Sequence, residues 1–224
     1  MELPENNVIY KKKEYWDERF EHEDAYDWLV TFDQMKNSLL KHLKSSDRIL
    51  MLGCGNSTLS GDLYDAGYKN IVNMDYSPIV IDRMREKYAD RSEMTWEVMD
   101  MKDLTFESNS FDIVLDKGSL DALMVDEGDV WNPEESVIID IDKVLQGVSR
   151  VLVPGGKYLQ ISFAQPHFRT KYMMAERIQN LPINHYSPSS GYCSFYNWDA
   201  SHELLDIKTG CMEFYLYTTV KRIN

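Results

Sequence analysis

Ile49-Leu50-Met51-Leu52-Gly53-Cys54-Gly55 is a short apolar run closed by a glycine turn, and Asp75 follows twenty residues after Gly55. An apolar run of this length bounded by glycine reads as a buried strand, Arg48–Leu52. The turn lets backbone approach a ligand, because glycine accepts positive φ and carries no side chain. Ser57–Ala66 reads as a helix stopped by Gly67, and Asn70–Met74 as a second strand that delivers Asp75. Strand, glycine turn, helix, strand and acid make a unit that holds a nucleoside, the acid accepting hydrogen bonds from ribose hydroxyls. The expected ligand is a soluble, adenosine-bearing cofactor.

The alternation continues downstream. Ser77-Pro78 supplies a cap and a first-position proline for a helix running to Tyr88. Met94–Met99 and Phe111–Leu115 are predicted third and fourth strands. Asn132-Pro133-Glu134-Glu135 has the pattern of an N-cap, a first-position proline and a Glu three residues after the cap. Ile141, Val144, Leu145, Val148 and Leu152 give the following helix its apolar stripe, Pro154-Gly155-Gly156 ends it, and Lys157–Phe163 is a fifth strand. Phe214–Val220 reads as a further strand, with Tyr192–Trp198 as its pairing partner. Upstream, ordered structure is expected from Glu14. Trp16 and Phe20 share one helix face, and Phe32, Met35, Leu39, Leu40 and Leu43 follow helical spacing. The predicted fold is α/β: a Rossmann-like, doubly wound, seven-stranded sheet, mostly parallel with an antiparallel C-terminal strand, plus an N-terminal helical segment.

Length and composition bound the function. At 224 residues and 43% hydrophobic content the chain fits one domain with a sizeable core. No apolar run approaches a membrane span, and Met1–Glu5 lacks the basic and apolar regions of a signal peptide. Cys54, Cys193 and Cys211 cannot all pair, which points to a reducing compartment, most simply the cytosol. A net charge of -13 repels nucleic-acid phosphate; it serves solubility or steers a basic partner. His202-Glu203-Leu204-Leu205-Asp206 lacks the second histidine of a zinc-protease helix. Cys193, Cys211, His185 and His202 lack zinc-site spacing, so no metal is expected.

A lone Gly-x-Gly is compatible with several adenosine cofactors. Thr58 stands where a dinucleotide fingerprint has its third glycine. Asp100-Met101 after the third strand, Phe111–Asp116 in the fourth and Val151–Gly156 before the fifth together resemble the class I S-adenosylmethionine-dependent methyltransferases, over Arg48–Phe163. That resemblance implies S-adenosylmethionine as cofactor. It also implies that Asp100 accepts from the adenine amino group while its neighbour packs on the ring. The chain departs from the pattern at Met51, where many such enzymes carry an acid two residues before the first loop glycine.

The segment DKGSLDAL, Asp116–Leu123, is more specific. With EYWDERF (Glu14–Phe20), YDW (Tyr26–Trp28) and LGCGNS (Leu52–Ser57), it resembles the eukaryotic elongation factor 1-alpha lysine methyltransferases, over about Glu14 to Phe168. The resemblance implies cofactor contacts at Trp16, Phe20, Trp28, Gly53, Asp75, Tyr76, Asp100, Met101 and Lys117, with the backbone of Gly55 beside them. Aromatic faces attract a sulfonium cation by about 0.5–2 kcal/mol each. Asp116, ending strand four, is the candidate for orienting the incoming amine, or else an acid that binds loop N–H groups. Residues 1–224 then form one domain: a cofactor-covering segment (1–45), a Rossmann core (46–165) and a substrate-side region (166–224). The expected partner is a basic protein substrate, elongation factor 1-alpha, met in the cytoplasm by a monomer that engages neither nucleic acid nor membrane. A small-molecule methyltransferase and a non-catalytic acidic binding module are the competing expectations.

Overall fold

In a computed structural model the described residues are 4–177, 186–187, 191–207 and 212–223. A 3-10 turn (Asn7–Lys11) leads into α1 (Lys13–His22) and α2 (Phe32–Leu39). The core then alternates through β1 (Ile49–Leu52), α3 (Leu59–Asp65), β2 (Ile71–Asp75), α4 (Pro78–Lys87), β3 (Thr95–Val98), β4 (Phe111–Lys117) and α5 (Ser119–Met124). A small hairpin of β5 (Gly128–Asp129) and β6 (Asn132–Pro133) precedes α6 (Glu135–Val151), β7 (Leu152–Ser162) and α7 (Pro166–Met173). Four strands complete the chain: β8 (Tyr186–Ser187), β9 (Tyr192–Cys193), β10 (Trp198–Leu204) and β11 (Tyr215–Lys221).

The main sheet has the order β3-β2-β1-β4-β7-β11-β10-β9-β8. Its first five strands are parallel and the remaining four antiparallel. The expected doubly wound, mostly parallel architecture is therefore present. The sheet carries nine strands among the described residues rather than seven, because two-residue β8 and β9 extend the antiparallel edge. Tyr192–Cys193 pairs with β10, not with β11 as expected; it is Trp198–Leu204 that lies against β11.

Alternation along β1 divides the interior in two. Leu50 and Leu52 face the core under α5, α6 and α7, whereas Ile49 and Met51 face the one under α2, α3 and α4. Two local expectations are corrected. Asn132-Pro133 does not cap α6: it forms β6, and Glu134 is the N-cap. Pro154-Gly155-Gly156 lies within β7, at an irregularity in the β4–β7 register. There a Cβ on Gly156 would sit 2.9 Å from the Val153 carbonyl oxygen and 3.0 Å from that of Asp112, so a larger residue would force the backbone to shift. The His202–Asp206 segment begins in β10, so it is no helix at all. No metal-ligating cluster and no helix long and apolar enough to cross a membrane occur among the described residues; His185 and Cys211 lie outside them.

α5 and α7 meet through buried polar groups. Arg169 on α7 pairs with Asp121 on α5, and Ser162 Oγ at the end of β7 donates to the same carboxylate oxygen at 2.7 Å. Removing one partner from such a pair leaves an uncompensated buried charge. Asp121→Ala is therefore expected to lower the unfolding free energy by about 3–5 kcal/mol in urea titration. The double replacement of Asp121 by Leu and Arg169 by Met should recover most of that loss.

Candidate active site

Strand order reverses between β1 and β4, and open α/β sheets hold their ligands in the crevice at the carboxyl ends of such strands. Gly53 and Gly55 close β1 with φ of 67° and 51°. A Cβ on Gly53 would collide with the Ser119 side chain, so the first glycine is required by conformation and by space. The Cys54 N–H donates to the Met74 carbonyl at 2.8 Å and ties the turn to β2. Burial pushes the Cys54 thiol well up, which leaves it an inert filler of the loop.

Asp75 ends β2 beneath the turn. Its carboxylate accepts from the N–H groups of Gly55 and Ser77, each at 3.0 Å. Burial raises its pKa to about 6, with those two donors pulling the other way. Tyr76 is half-buried beside it, and burial pushes its phenol up, so it stays neutral. The Met99 N–H donates to the Asp75 carbonyl at 2.9 Å, which brings the end of β3 alongside that of β2. Asp100 is thereby presented exposed, with one oxygen accepting from the Lys102 N–H at 2.9 Å, and Met101 packs half-buried against the core.

An aromatic roof covers the glycine turn. Trp16 and Phe20 are four apart on α1 and stack with ring centroids 5.6 Å apart. Trp28 meets Trp16 edge-on at 5.7 Å, and Tyr10 meets Trp28 edge-on at 5.3 Å. Phe20 lies directly on the turn, 3.7 Å from where a Gly55 Cβ would be. The Arg19 guanidinium sits 4.9 Å from the Trp28 ring centroid and is held by Glu23 at 2.7 and 3.0 Å, a cation committed to the roof's own structure.

Three polar clamps fasten this roof to the sheet. Ser77 Oγ donates to Asp17 at 2.5 Å. Asn56 donates to the Glu23 backbone and side chain, both at 3.1 Å. Asp27 accepts from Ser57 at 2.5 Å, from Lys117 at 3.1 Å and from Thr58 at 3.0 Å. Lys117 also donates to the Trp28 carbonyl at 2.9 Å. Burial lowers the Lys117 pKa while Asp27 raises it. Asp17, Asp27, Asn56 and Ser57 were not singled out from the sequence. The signal available for Asp27 was its place inside YDW, and for Asn56 and Ser57 their place just after the glycines.

Asp116 lies one residue deeper than Lys117 and is completely buried. Its carboxylate accepts from the Ser119 N–H at 2.8 Å, the Gln160 amide at 3.0 Å and the Tyr158 hydroxyl at 3.1 Å. Burial, then the neighbouring Asp121, raises its pKa to about 6. Ser119 Oγ in turn reaches the carbonyl oxygens of Leu52 and Gly53, each at 3.0 Å. The structure thus gathers Trp16, Phe20, Trp28, Gly53, Gly55, Asp75 and Lys117 around one turn, sets Tyr76, Asp100 and Met101 along the adjoining strand ends, and places Asp116 beneath the floor.

These residues fit S-adenosylmethionine. The glycine turn presents backbone, Asp75 presents acceptors, and the buried Trp28 indole N–H has no partner among the described residues, which leaves a donor for the cofactor's polar end. Met51 is packed in the core and offers that end nothing.

A methyltransferase domain family matches residues 50–159. EEF1A lysine methyltransferase 4 of Mus musculus is 42% identical over 196 residues, 85% of this chain and 76% of that protein. The Bos taurus protein of the same name is 39% identical over 207 residues, 91% of this chain and 81% of that protein. In fold, the chain is similar to the N-methyltransferase NodS from Bradyrhizobium japonicum WM9 in complex with S-adenosyl-l-homocysteine. The TM-score is 0.58 at 11% identity, covering 96% of this chain and 99% of that one. Identity of this degree over most of both chains leads to one assignment: the chain belongs to the EEF1A lysine methyltransferase family of class I S-adenosylmethionine-dependent methyltransferases.

Proposed function

We propose that this protein transfers a methyl group from S-adenosylmethionine to a lysine side-chain amine of translation elongation factor 1-alpha. The carrying observation is the aromatic-roofed glycine turn above Asp75, on a chain 42% identical to a mouse enzyme named for that substrate. When bound, S-adenosylmethionine supplies a sulfonium-activated methyl group. Asp75 would receive the ribose hydroxyls and Asp100 the adenine amino group, Met101 would pack on the ring, and Tyr76 would offer an aromatic face beside Asp75. The backbone at Gly53 and Gly55, the Lys117 ammonium and the Trp28 indole N–H hold the methionine end, the function that an acid at position 51 serves elsewhere. Trp16, Phe20 and Trp28 exclude water and face the cation.

The acceptor lysine must react as a neutral amine, whereas free lysine with pKa about 10.4 is protonated at neutral pH. Desolvation beneath the roof, beside a positive charge, lowers that pKa. Alignment of nitrogen with the methyl does the rest, worth up to about 7–11 kcal/mol in favourable systems. Asp116 serves as a positioning residue: through Ser119 and Gln160 it fixes the floor over which the amine approaches. The protein works as a cytoplasmic monomer, residues 1–45 covering the cofactor and 166–224 shaping the substrate side.

Labelled S-adenosylmethionine incubated with the protein and purified elongation factor 1-alpha should place label on a lysine, read by mass spectrometry. Label on a small molecule alone would sink the reading. Asp75→Ala is expected to weaken cofactor binding at least a hundredfold in calorimetry, roughly 3 kcal/mol for two charge-assisted hydrogen bonds. Because Asp75 ionises near pH 6 in the folded protein, its acceptor charge is present above that pH and lost below it. Cofactor affinity should thus fall by up to about tenfold per pH unit below that point, and Asp75→Asn should flatten the profile. Asp116→Asn should lower kcat about tenfold or more with the cofactor Kd unchanged, the mark of a group that positions without touching the ligand.

A further inference from the structure

The β5–β6 hairpin contributes none of the residues assigned above to the cofactor site, yet it carries an exposed tryptophan. Trp131, in its turn, is 63% exposed. A single exposed apolar side chain is common on a protein surface, but this one belongs to an aromatic cluster, and tryptophan is enriched among binding hot spots. The ring is not loose. It meets Phe168 edge-on at 5.2 Å and stacks with His167 at 6.1 Å, both on α7. Arg177 donates to the Val130 and Trp131 carbonyls at 3.0 and 2.9 Å, and Tyr172 donates to Glu127 at 2.9 Å, which fastens the hairpin to α7.

Position and charge narrow the occupant. The hairpin follows α5, which grows from the end of β4 and touches the glycine turn through Ser119. α7 grows from the end of β7, where Phe163 is 47% exposed. Trp131 and Phe168 therefore stand on the elements that rise from the carboxyl edge, the side from which an acceptor enters the crevice. Residues 126–135 contain five acids and no base. Asp126, Glu134 and Glu135 are exposed among them, while the nearby cations are Lys171, with Nζ 5.3 Å from the Trp131 ring centroid, and the carbonyl-bound Arg177. An aromatic anchor rimmed by acids is complementary to a basic segment with an apolar or aliphatic stem.

We infer that the Trp131 hairpin and the start of α7 form the docking surface for a basic segment of the protein substrate, next to the lysine that receives the methyl group. This rests on the proposed lysine methylation, and the two can fail separately. The test compares wild type, Trp131→Ala, Trp131→Phe and the charge variant Asp126→Asn/Glu134→Gln/Glu135→Gln on purified elongation factor 1-alpha, with cofactor Kd and Tm measured in parallel. Trp131→Ala is expected to raise KM for the protein about tenfold or more with cofactor Kd unchanged, and Trp131→Phe to restore most of it. The charge variant should raise KM and blunt its increase between about 50 and 300 mM salt. Unchanged KM in both the aromatic and the charge variants would overturn the docking surface and leave lysine methylation standing. No methylation of the factor by wild type would overturn the proposed substrate, and this occupant with it. A KM change that tracks a loss of Tm, unrescued by phenylalanine, would count the hairpin as structural and overturn the inference.

Discussion

The site depends on one carboxylate, that of Asp27. It accepts from Ser57 and Thr58 just past the glycine turn and from Lys117 at the end of β4, while its own loop presents Trp28. Burial would push this acid up; Lys117 and the two hydroxyls pull it down, so it stays ionised. Lys117 is the more enclosed of the two, and breaking a buried pair by removing one partner costs about 3–5 kcal/mol in comparable systems. One ion pair therefore sets the height of the roof over the turn and the position of the β4 terminus at once.

The remaining clamps explain why a short N-terminal segment can serve as a rigid wall. α1 is only ten residues long, and an isolated helix of that length is marginal in water. It is held at its middle and at its C-terminal end: Asp17 by Ser77 after β2, and Glu23 by Asn56 after the turn. Both partners lie within two residues of a strand end or a loop glycine that the cofactor unit itself requires. Thr58 belongs to the same logic. A third glycine there would serve close approach to a pyrophosphate; a hydroxyl instead serves the attachment of an aromatic cover. The residue that weakens the dinucleotide reading is thus part of what makes the methyl-transfer site.

How much of this was legible follows from the range of each interaction. β1, the glycine turn and Asp75 were readable because they are set by a local apolar run and by positive φ. Of the roof's rings, Trp16 and Phe20 were readable through spacing on α1 and Trp28 through the YDW motif, while Tyr10 was not; nor were the clamps, since each joins residues thirty or more apart. Asn132-Pro133 reads as a helix cap because the residue types suit one; the hairpin wins because the Trp131 N–H donates to the Asp129 carboxylate at 2.9 Å and closes a turn that pairs Asp129 with Asn132. The pairing of Tyr192–Cys193 with β10 rather than β11 is a matter of long-range register, which a strand's own sequence does not carry. Asp116 was visible as an acid at a strand end, whereas its burial depends on Tyr158 and Gln160, two strand-seven residues that reach it across the sheet.

Charge placement ties the interior to the surface. Three cations are buried around the crevice, Arg19, Lys117 and Arg169, and each is matched by its own acid: Glu23, Asp27 and Asp121. A sulfonium and an incoming ammonium would both be repelled by an unmatched positive charge in a poorly screened interior. Pairing each cation locally keeps its hydrogen-bonding capacity for roof, floor and cofactor while cancelling its long-range field. The net charge of -13 is then complementary to a basic partner at the surface, while the buried cations are matched locally. That separation suits an amine that must arrive as a cation and react as a neutral base: attraction outside, desolvation within.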